Sequence, residues 1–76
     1  MVQVGAYRRF KVYVDTGERV WSTNSLKFDT PEEARVYGND LWSRWTMVRK
    51  FEVVEVPDDF GEPWLTPEQI ERMKVA

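Results

Sequence analysis

The sequence predicts an α+β fold, a ββαβ two-layer sandwich in which one long helix packs on a three-stranded antiparallel sheet of order 2-1-3, followed by a short C-terminal helix. Three observations predict it. Apolar and polar residues alternate from Arg9 to Val14, a helix start with helical spacing follows at Thr30, and "KFEVVEV" is rich in β-branched residues. Alternation with period two indicates a half-buried strand, and apolar residues at i, i+3 and i+4 indicate an amphipathic helix. Strand three is expected to pair beside strand one, which gives the two-layer arrangement.

The first two strands are predicted as a hairpin in "YRRFKVYVDTGERVW". Phe10, Val12 and Val14 form the apolar face of strand one. Asp15 and Gly17 form the turn, because an Asp side chain bonds the local backbone and glycine accepts a positive φ. Strand two is "RVWST", and Leu26 and Phe28 after it are expected to share one face.

The helix is predicted to begin at Thr30 as N-cap, with Pro31 in the first position and Glu33 completing a capping box. Its buried stripe is expected to contain Ala34, Tyr37, Gly38, Leu41 and Trp45. A glycine inside a helix costs about 1 kcal/mol relative to alanine. Its place on the buried stripe therefore indicates a close approach of helix and sheet.

The third strand has apolar residues on both faces: Phe51 and Val53 on one, Val54 and Val56 on the other. Something is therefore expected to cover the second face, and the candidate is the C-terminal segment. We divide the chain into a ββαβ core domain, residues 1–56, and an acidic loop with a short helix, residues 57–76. Thr66 is the expected N-cap of this second helix.

Composition restricts the function. The 76 residues form one domain at most and include neither cysteine nor histidine, which removes disulfides, the commonest metal ligand and the usual general base. The net charge is −2, and residues 57–76 hold five acidic and two basic residues. The cluster Asp58, Asp59 and Glu62 matches no calcium-loop pattern and is interpreted as a solvated linker. We therefore expect no enzyme, no catalytic residue, no cofactor and no metal.

Two interpretations of the surface remain open. Tyr7, Arg9, Lys11 and Tyr13 lie on the strand face opposite Val12, which the helix is not expected to cover. Aromatic residues between cations on an open sheet suit single-stranded nucleic acid, although the net charge opposes such binding.

The other interpretation is protein binding, because four tryptophans are more than so small a core easily hides. Trp45 is assigned to the core. Trp42 is expected to be half covered, and Trp64 either lies against the sheet or anchors a partner. Trp and Arg dominate interface hot spots. The predicted contacts are Asp58, Asp59, Glu62, Trp64, Trp42 and Arg35. Self-association through an open strand edge is a third possibility.

The segment 21–56 resembles a family of short, uncharacterised bacteriophage and prophage proteins. The shared pattern runs Trp-Ser, Asn, Leu and Phe at a two-residue spacing, Thr, Glu-Glu-Ala, Tyr, Asp-Leu, Arg-Trp, Val, an aromatic residue and Val-Val-Glu. It falls here on Trp21, Ser22, Asn24, Leu26, Phe28, Thr30, Glu32, Glu33, Ala34, Tyr37, Asp40, Leu41, Arg44, Trp45, Val48, Phe51, Val53, Val54 and Glu55.

The resemblance implies a phage protein acting in the cytoplasm of an infected bacterium. Small acidic phage proteins without cofactors often disable a host or defence protein, and anti-CRISPR inhibitors are an example. The expected partner is therefore a bacterial host or defence protein. A membrane partner is not expected, since no apolar run approaches the ~18 residues of a span and the first residues lack a signal peptide's apolar segment.

Overall fold

A computed structural model describes residues 8–75, and its centre is one long antiparallel strand pair. Strand β1 (Arg8–Asp15) pairs with β3 (Lys50–Pro57) over their whole length, from Arg8 opposite Pro57 to Asp15 opposite Lys50. Side chains alternate between the two faces of such a pair, so β1 and β3 each contribute apolar residues to both sides of the sheet.

The sheet has four strands, in the order β3-β1-β2-β4, and not the three that were predicted. Strand β2 (Trp21–Ser22) pairs with β1 through Ser22 and Val14, and β4 (Trp64–Leu65) pairs with β2. All pairs are antiparallel, and β3, β1 and β2 keep the predicted neighbours. Strand β4 was missed because two residues among Pro, Gly and Asp show no alternation.

The β1–β2 connection turns where the sequence predicts. Gly17 has φ +92°, which glycine adopts without steric cost, and its N–H donates a 2.8 Å hydrogen bond to Asp15 Oδ1. After β2 the chain returns to β1. Phe28 exchanges two backbone hydrogen bonds with Phe10, of 2.8 and 2.9 Å. Phe28 thus packs against the core, whereas Leu26, which was expected to share its face, is exposed.

Helix α1 spans Pro31–Arg44 and begins at the predicted N-cap, with the Glu33 N–H donating to Thr30 Oγ1 at 3.1 Å. The predicted capping box is half formed, because the Thr30 N–H donates no bond to the Glu33 carboxylate. At 14 residues it is of ordinary length and not the long helix that was predicted. It lies over β1 and β3. Gly38 is buried against the ring of Phe51, which confirms the predicted close approach of helix and sheet.

Helix α2 spans Pro67–Met73 and packs on the opposite face. Thr66 is its N-cap and forms a complete capping box with Gln69: the Gln69 N–H donates to Thr66 Oγ1 at 3.2 Å and the Thr66 N–H to Gln69 Oε1 at 2.8 Å. Beyond α2 the chain runs beside β3, where the Val75 N–H donates to the Val53 carbonyl at 2.8 Å.

The sheet therefore has an apolar core on each face, which corrects the two-layer prediction. The core under α1 contains Val12, Val14, Ala34, Val48 and Val53, and the core under α2 contains Tyr13, Trp21, Val54, Val56, Leu65 and Ile70. The prediction that the C-terminal segment covers Val54 and Val56 is confirmed. Among residues 8–75, no helix has the length and apolar character needed to cross a membrane.

Candidate functional site: an uncovered groove between α1 and β2

Helix α1 packs mainly on two of the four strands. It lies over β1 and β3, while β2 and β4 extend beyond it. Val14 lies opposite Ser22, and Ser22 lies opposite Trp64, so the three side chains form one row on this face. Val14 is buried under α1, but Ser22 and Trp64 are exposed, and 53% of Trp64 is accessible. The row thus runs from a covered residue to an open tryptophan.

A groove of about 200 Å³ lies beside α1, at the edge of the part of the sheet that the helix covers. Val12, Val14 and Ser22 line it from the sheet, and Tyr37, Leu41 and Trp45 line it from α1. Thr23 and Asn24 complete the lining. Trp64 is the neighbour of Ser22 in the adjacent strand, so it stands beside the groove on the side away from the helix. The name tryptophan groove is used for this groove together with the indoles of Trp45 and Trp64.

The helix terminus explains why Trp45 is at the surface. Trp45 is the C-cap of α1, with the extended backbone angles φ −113° and ψ 104°. Its N–H still donates to the Leu41 carbonyl at 2.9 Å, and its own carbonyl accepts from the Val48 N–H at 3.1 Å in the following turn. The side chain therefore leaves the helical stripe and is 43% exposed. The assignment of Trp45 to the core is wrong.

The chemistry of the groove is apolar and uncharged. Its lining includes no Asp, Glu, Lys or Arg. The hydroxyl of Thr23 is already used, because it donates a 2.6 Å hydrogen bond to the Val12 carbonyl. The Asn24 side-chain amide donates to the Tyr37 hydroxyl at 2.8 Å. The groove is thus suited to an apolar side chain more than to an ion.

The predicted protein contacts do not form one surface. Trp64 belongs to the tryptophan groove. Trp42 is 49% exposed, so its predicted half cover is confirmed, but it meets Phe51 edge-on at 6.1 Å. Because Phe51 belongs to β3, Trp42 lies on the side of α1 away from the groove. Arg35 is half-buried on the same side of the helix, two turns before Trp42.

The three predicted acidic contacts lie in the loop before β4 and are exposed. The Asp58 carboxylate forms a 2.8 Å ion pair with Arg9 Nε, and Arg9 Nη1 pairs with Asp29 at 2.7 Å. The Glu62 carbonyl accepts a 2.7 Å hydrogen bond from the Tyr13 hydroxyl. Asp58 and Glu62 therefore hold this loop on β1, whereas Asp59 forms no ion pair within residues 8–75.

The sheet face proposed for nucleic acid is not open. Residues of the C-terminal segment cover it, so Tyr13 is fully buried and Lys11 is 2% exposed. Arg9 is occupied by its ion pairs, and Tyr7 lies outside the described residues. Bases have no ring on which to stack there, since the single described tyrosine of this set is covered by the core under α2. The expectation of an open face is wrong.

Burial also changes the electrostatics of this face. Burial, and after it the nearby Glu62 charge, raises the pKa of Tyr13 to about 12 from an ordinary value of 10.0. Burial, and after it the charge of Lys27, lowers the pKa of Lys11. The Lys11 ammonium donates a 2.7 Å hydrogen bond to the Asn24 carbonyl, which is part of the same loop that borders the groove on the other side of the sheet.

Sequence reasoning missed Trp45 and the apolar lining of the groove. The helical stripe continues through Leu41 to Trp45, and no Gly or Asn after it signals the end of α1. A groove between α1 and β2 also depends on where the helix crosses the sheet, which no local pattern gives. The number of tryptophans was the available signal, and it identified Trp64 alone.

Comparisons with known protein families, with curated proteins and with solved structures found no match. The resemblance to phage proteins stays a prediction.

Proposed function

We propose that this protein is a non-enzymatic protein-binding module, and that the tryptophan groove holds an apolar side chain of its partner. One observation carries the proposal: Trp45 lines an apolar groove beside α1, Trp64 is the β4 neighbour of the groove residue Ser22, and each indole is about half exposed. Tryptophans beside a pocket are the residues on which binding energy at protein interfaces concentrates.

The groove's chemistry specifies the kind of anchor. Because its lining carries no charged side chain, burying an ion there would leave that ion without a counter-charge. An aliphatic or aromatic side chain loses no such interaction, and each of its buried methylene groups contributes roughly 0.8 kcal/mol. The partner is therefore proposed to insert an apolar side chain, with the rings of Trp45 and Trp64 excluding water around it.

The partner is proposed to be a bacterial host or defence protein, and inhibition the result of binding, as for anti-CRISPR proteins. This step is supported by the sequence resemblance to phage proteins. The non-enzymatic assignment is supported by composition, since the chain has no histidine or cysteine. No basic residue lines the groove beside the Ser22 hydroxyl, and the Thr23 hydroxyl already donates to the Val12 carbonyl.

The test compares capture by wild-type protein and by two groove variants, Trp45→Ser and Trp64→Ser, from lysate of the bacterial host. A control is Val36→Ser: Val36 is 69% exposed and lies on α1 away from the groove. We expect a discrete host protein that wild type and Val36→Ser retain equally. With that protein purified, each tryptophan variant should bind roughly 30-fold more weakly or worse, corresponding to 2 kcal/mol or more.

Each variant is first shown to be folded by its circular dichroism spectrum and thermal midpoint. A host protein that binds all four proteins equally would contradict the groove as the contact surface. Failure of the wild-type protein to retain any host protein above a bead control would contradict the protein-binding function itself.

A further inference from the structure

A second cavity differs from the tryptophan groove in its chemistry, because charged residues line it, although Thr23 and Asn24 line both. Its volume is about 380 Å³, and it lies between the loop that follows β2 and the loop that precedes β4. The Thr23 N–H donates to the Pro63 carbonyl at 3.1 Å, which holds the two loops together at one end. Lys11 lines this cavity from β1, and Lys27 lines it from the first loop.

Lys11 is an unusual residue to bury. Only 2% of it is exposed, and an ammonium ion taken out of water is costly unless a counter-charge replaces its hydration. Within residues 8–75 its Nζ has one partner, the Asn24 carbonyl at 2.7 Å, and forms no ion pair with a carboxylate. An ammonium has three donors, and the bond to the Asn24 carbonyl uses one of them.

Lys27 adds a second cation to the same cavity. Its Nζ donates to the Asp58 carbonyl, and in the described part of the chain it too forms no ion pair. The two lysines are close enough for the charge of Lys27 to lower the pKa of Lys11. Two like charges directed to one cavity repel each other, and an anion between them would convert the repulsion into attraction.

The rest of the lining sets the size of that anion. Ser25 and Gly61 are exposed at the cavity, and an added Cβ on Gly61 would meet no atom within 4 Å, so there is open space beside its backbone. Glu62 also lines the cavity, and the three charged residues together give it a net charge of +1. A single small oxyanion matches this charge, whereas a polyanion would meet the Glu62 carboxylate.

We propose that this cavity is a binding site for one oxyanion group, a carboxylate or a phosphate, held by the ammonium groups of Lys11 and Lys27. The lysines of this site reach it from the sheet face opposite the tryptophan groove, and the two sites share the loop residues Thr23 and Asn24. A lysine ammonium is a compact charge that can donate hydrogen bonds to either group, so the experiment includes both.

The experiment titrates ¹⁵N-labelled protein with inorganic phosphate and, separately, with acetate at constant ionic strength, and follows the amide resonances. We expect saturable shifts confined to residues 23–25, Lys27 and Gly61 for at least one of the two anions. Tighter binding of phosphate would identify a phosphate group as the natural ligand. Equal or tighter binding of acetate would identify a carboxylate.

Lys27→Gln and Lys11→Met remove one ammonium each and should weaken binding at least tenfold, corresponding to about 1.4 kcal/mol. Lys74→Gln is the matched control, because Lys74 is exposed, forms an ion pair with Glu71 at 3.3 Å and is not among the residues that line the cavity. Shifts that do not saturate by roughly 50 mM of either anion, or that persist unchanged in Lys27→Gln, would overturn the site. Lys27→Gln keeps the test valid if Lys11→Met fails to fold.

Discussion

The ring of Phe51 occupies the space where a side chain on Gly38 would be. An ideal Cβ on Gly38 would lie 2.3 Å from Phe51 Cε2 and 2.5 Å from Cδ2, well inside any contact distance. Phe51 also meets Trp42 edge-on, so its ring is held from a second direction. Helix α1 and strand β3 thus approach as closely as they do because this one position carries no side chain.

Gly38→Ala is therefore expected to destabilise the protein, although alanine is the better helix former. Overpacking of a core typically costs about 1–3 kcal/mol, and a contact this short is expected in the upper part of that range, above the roughly 1 kcal/mol gained in helix propensity. Urea unfolding measures the difference. Asn39→Ala is the control, since Asn39 is exposed in the same helix and should show only the gain. A Gly38→Ala protein as stable as wild type would show that the ring moves aside freely.

Removal of the Tyr13 hydroxyl tests how the loop before β4 is held. Tyr13→Phe keeps the buried ring but deletes the 2.7 Å hydrogen bond to the Glu62 carbonyl. We expect a loss of about 0.5–1.5 kcal/mol in the free energy of unfolding, because the exposed carbonyl can bond water instead. Amide exchange in the loop should accelerate more than in β1. Equal acceleration in both would indicate a general loss of stability without a local effect on the loop.

The same tyrosine predicts a pH dependence. Its pKa is raised to about 12 in the folded protein, against 10.0 for an ordinary tyrosine. Because the folded state holds the proton more tightly, stability is complete below about pH 10 and falls as the pH rises toward 12, by up to roughly 2–3 kcal/mol.

Unfolding free energies of wild type and Tyr13→Phe, measured at about pH 9 and about pH 11, test this dependence. Wild type should lose more stability than the variant between the two values. Lys11 titrates in both proteins, so its contribution cancels in the comparison. A difference between the two proteins that does not change with pH would contradict the raised pKa.

Ile70 tests whether the C-terminal segment belongs to the fold. It is 1% exposed and packs in the core under α2. Ile70→Ala should cost about 2–5 kcal/mol, a large part of the stability of so small a domain. The exposed Glu68→Ala in the same helix should cost much less. Thermal or urea unfolding measures both variants. If Ile70→Ala unfolds cooperatively with a midpoint near that of the wild type, α2 does not contribute to the stability of the core.

Both helix starts could be predicted because the signals are local. Thr30 and Thr66 are each followed by proline and by a Glu or Gln at the third position, and each forms the predicted cap. The covering of Val54 and Val56 followed from the apolar residues on both faces of β3. The same reasoning failed for Tyr13 and Lys11, which share that face. Their polar end groups led to a prediction of solvent exposure, whereas their apolar parts pack inside.

The fourth strand and the groove could not be predicted, for a different reason. Trp64 and Leu65 become a strand only by pairing with Ser22 and Trp21, which lie far away along the chain. The groove exists because α1 crosses β1 and β3 and stops short of β2. Both features depend on how helices and strands pack against one another, and the residue spacing within a single helix or strand does not predict that packing. Of the residues predicted as protein contacts, Trp64 alone lies at the tryptophan groove, and protein binding itself stays a prediction.

The covering of Tyr13, Trp21 and Lys11 by the chain beyond residue 57 has a consequence for biosynthesis. Strands β1 and β3 can pair once Pro57 has left the ribosome, yet the face that carries Tyr13 and Trp21 stays bare until β4 and α2 have also emerged. A nascent chain stalled between these points would display those aromatic rings to chaperones and proteases. The last step of folding, in which Leu65 and Ile70 close that face, must therefore follow the synthesis of α2.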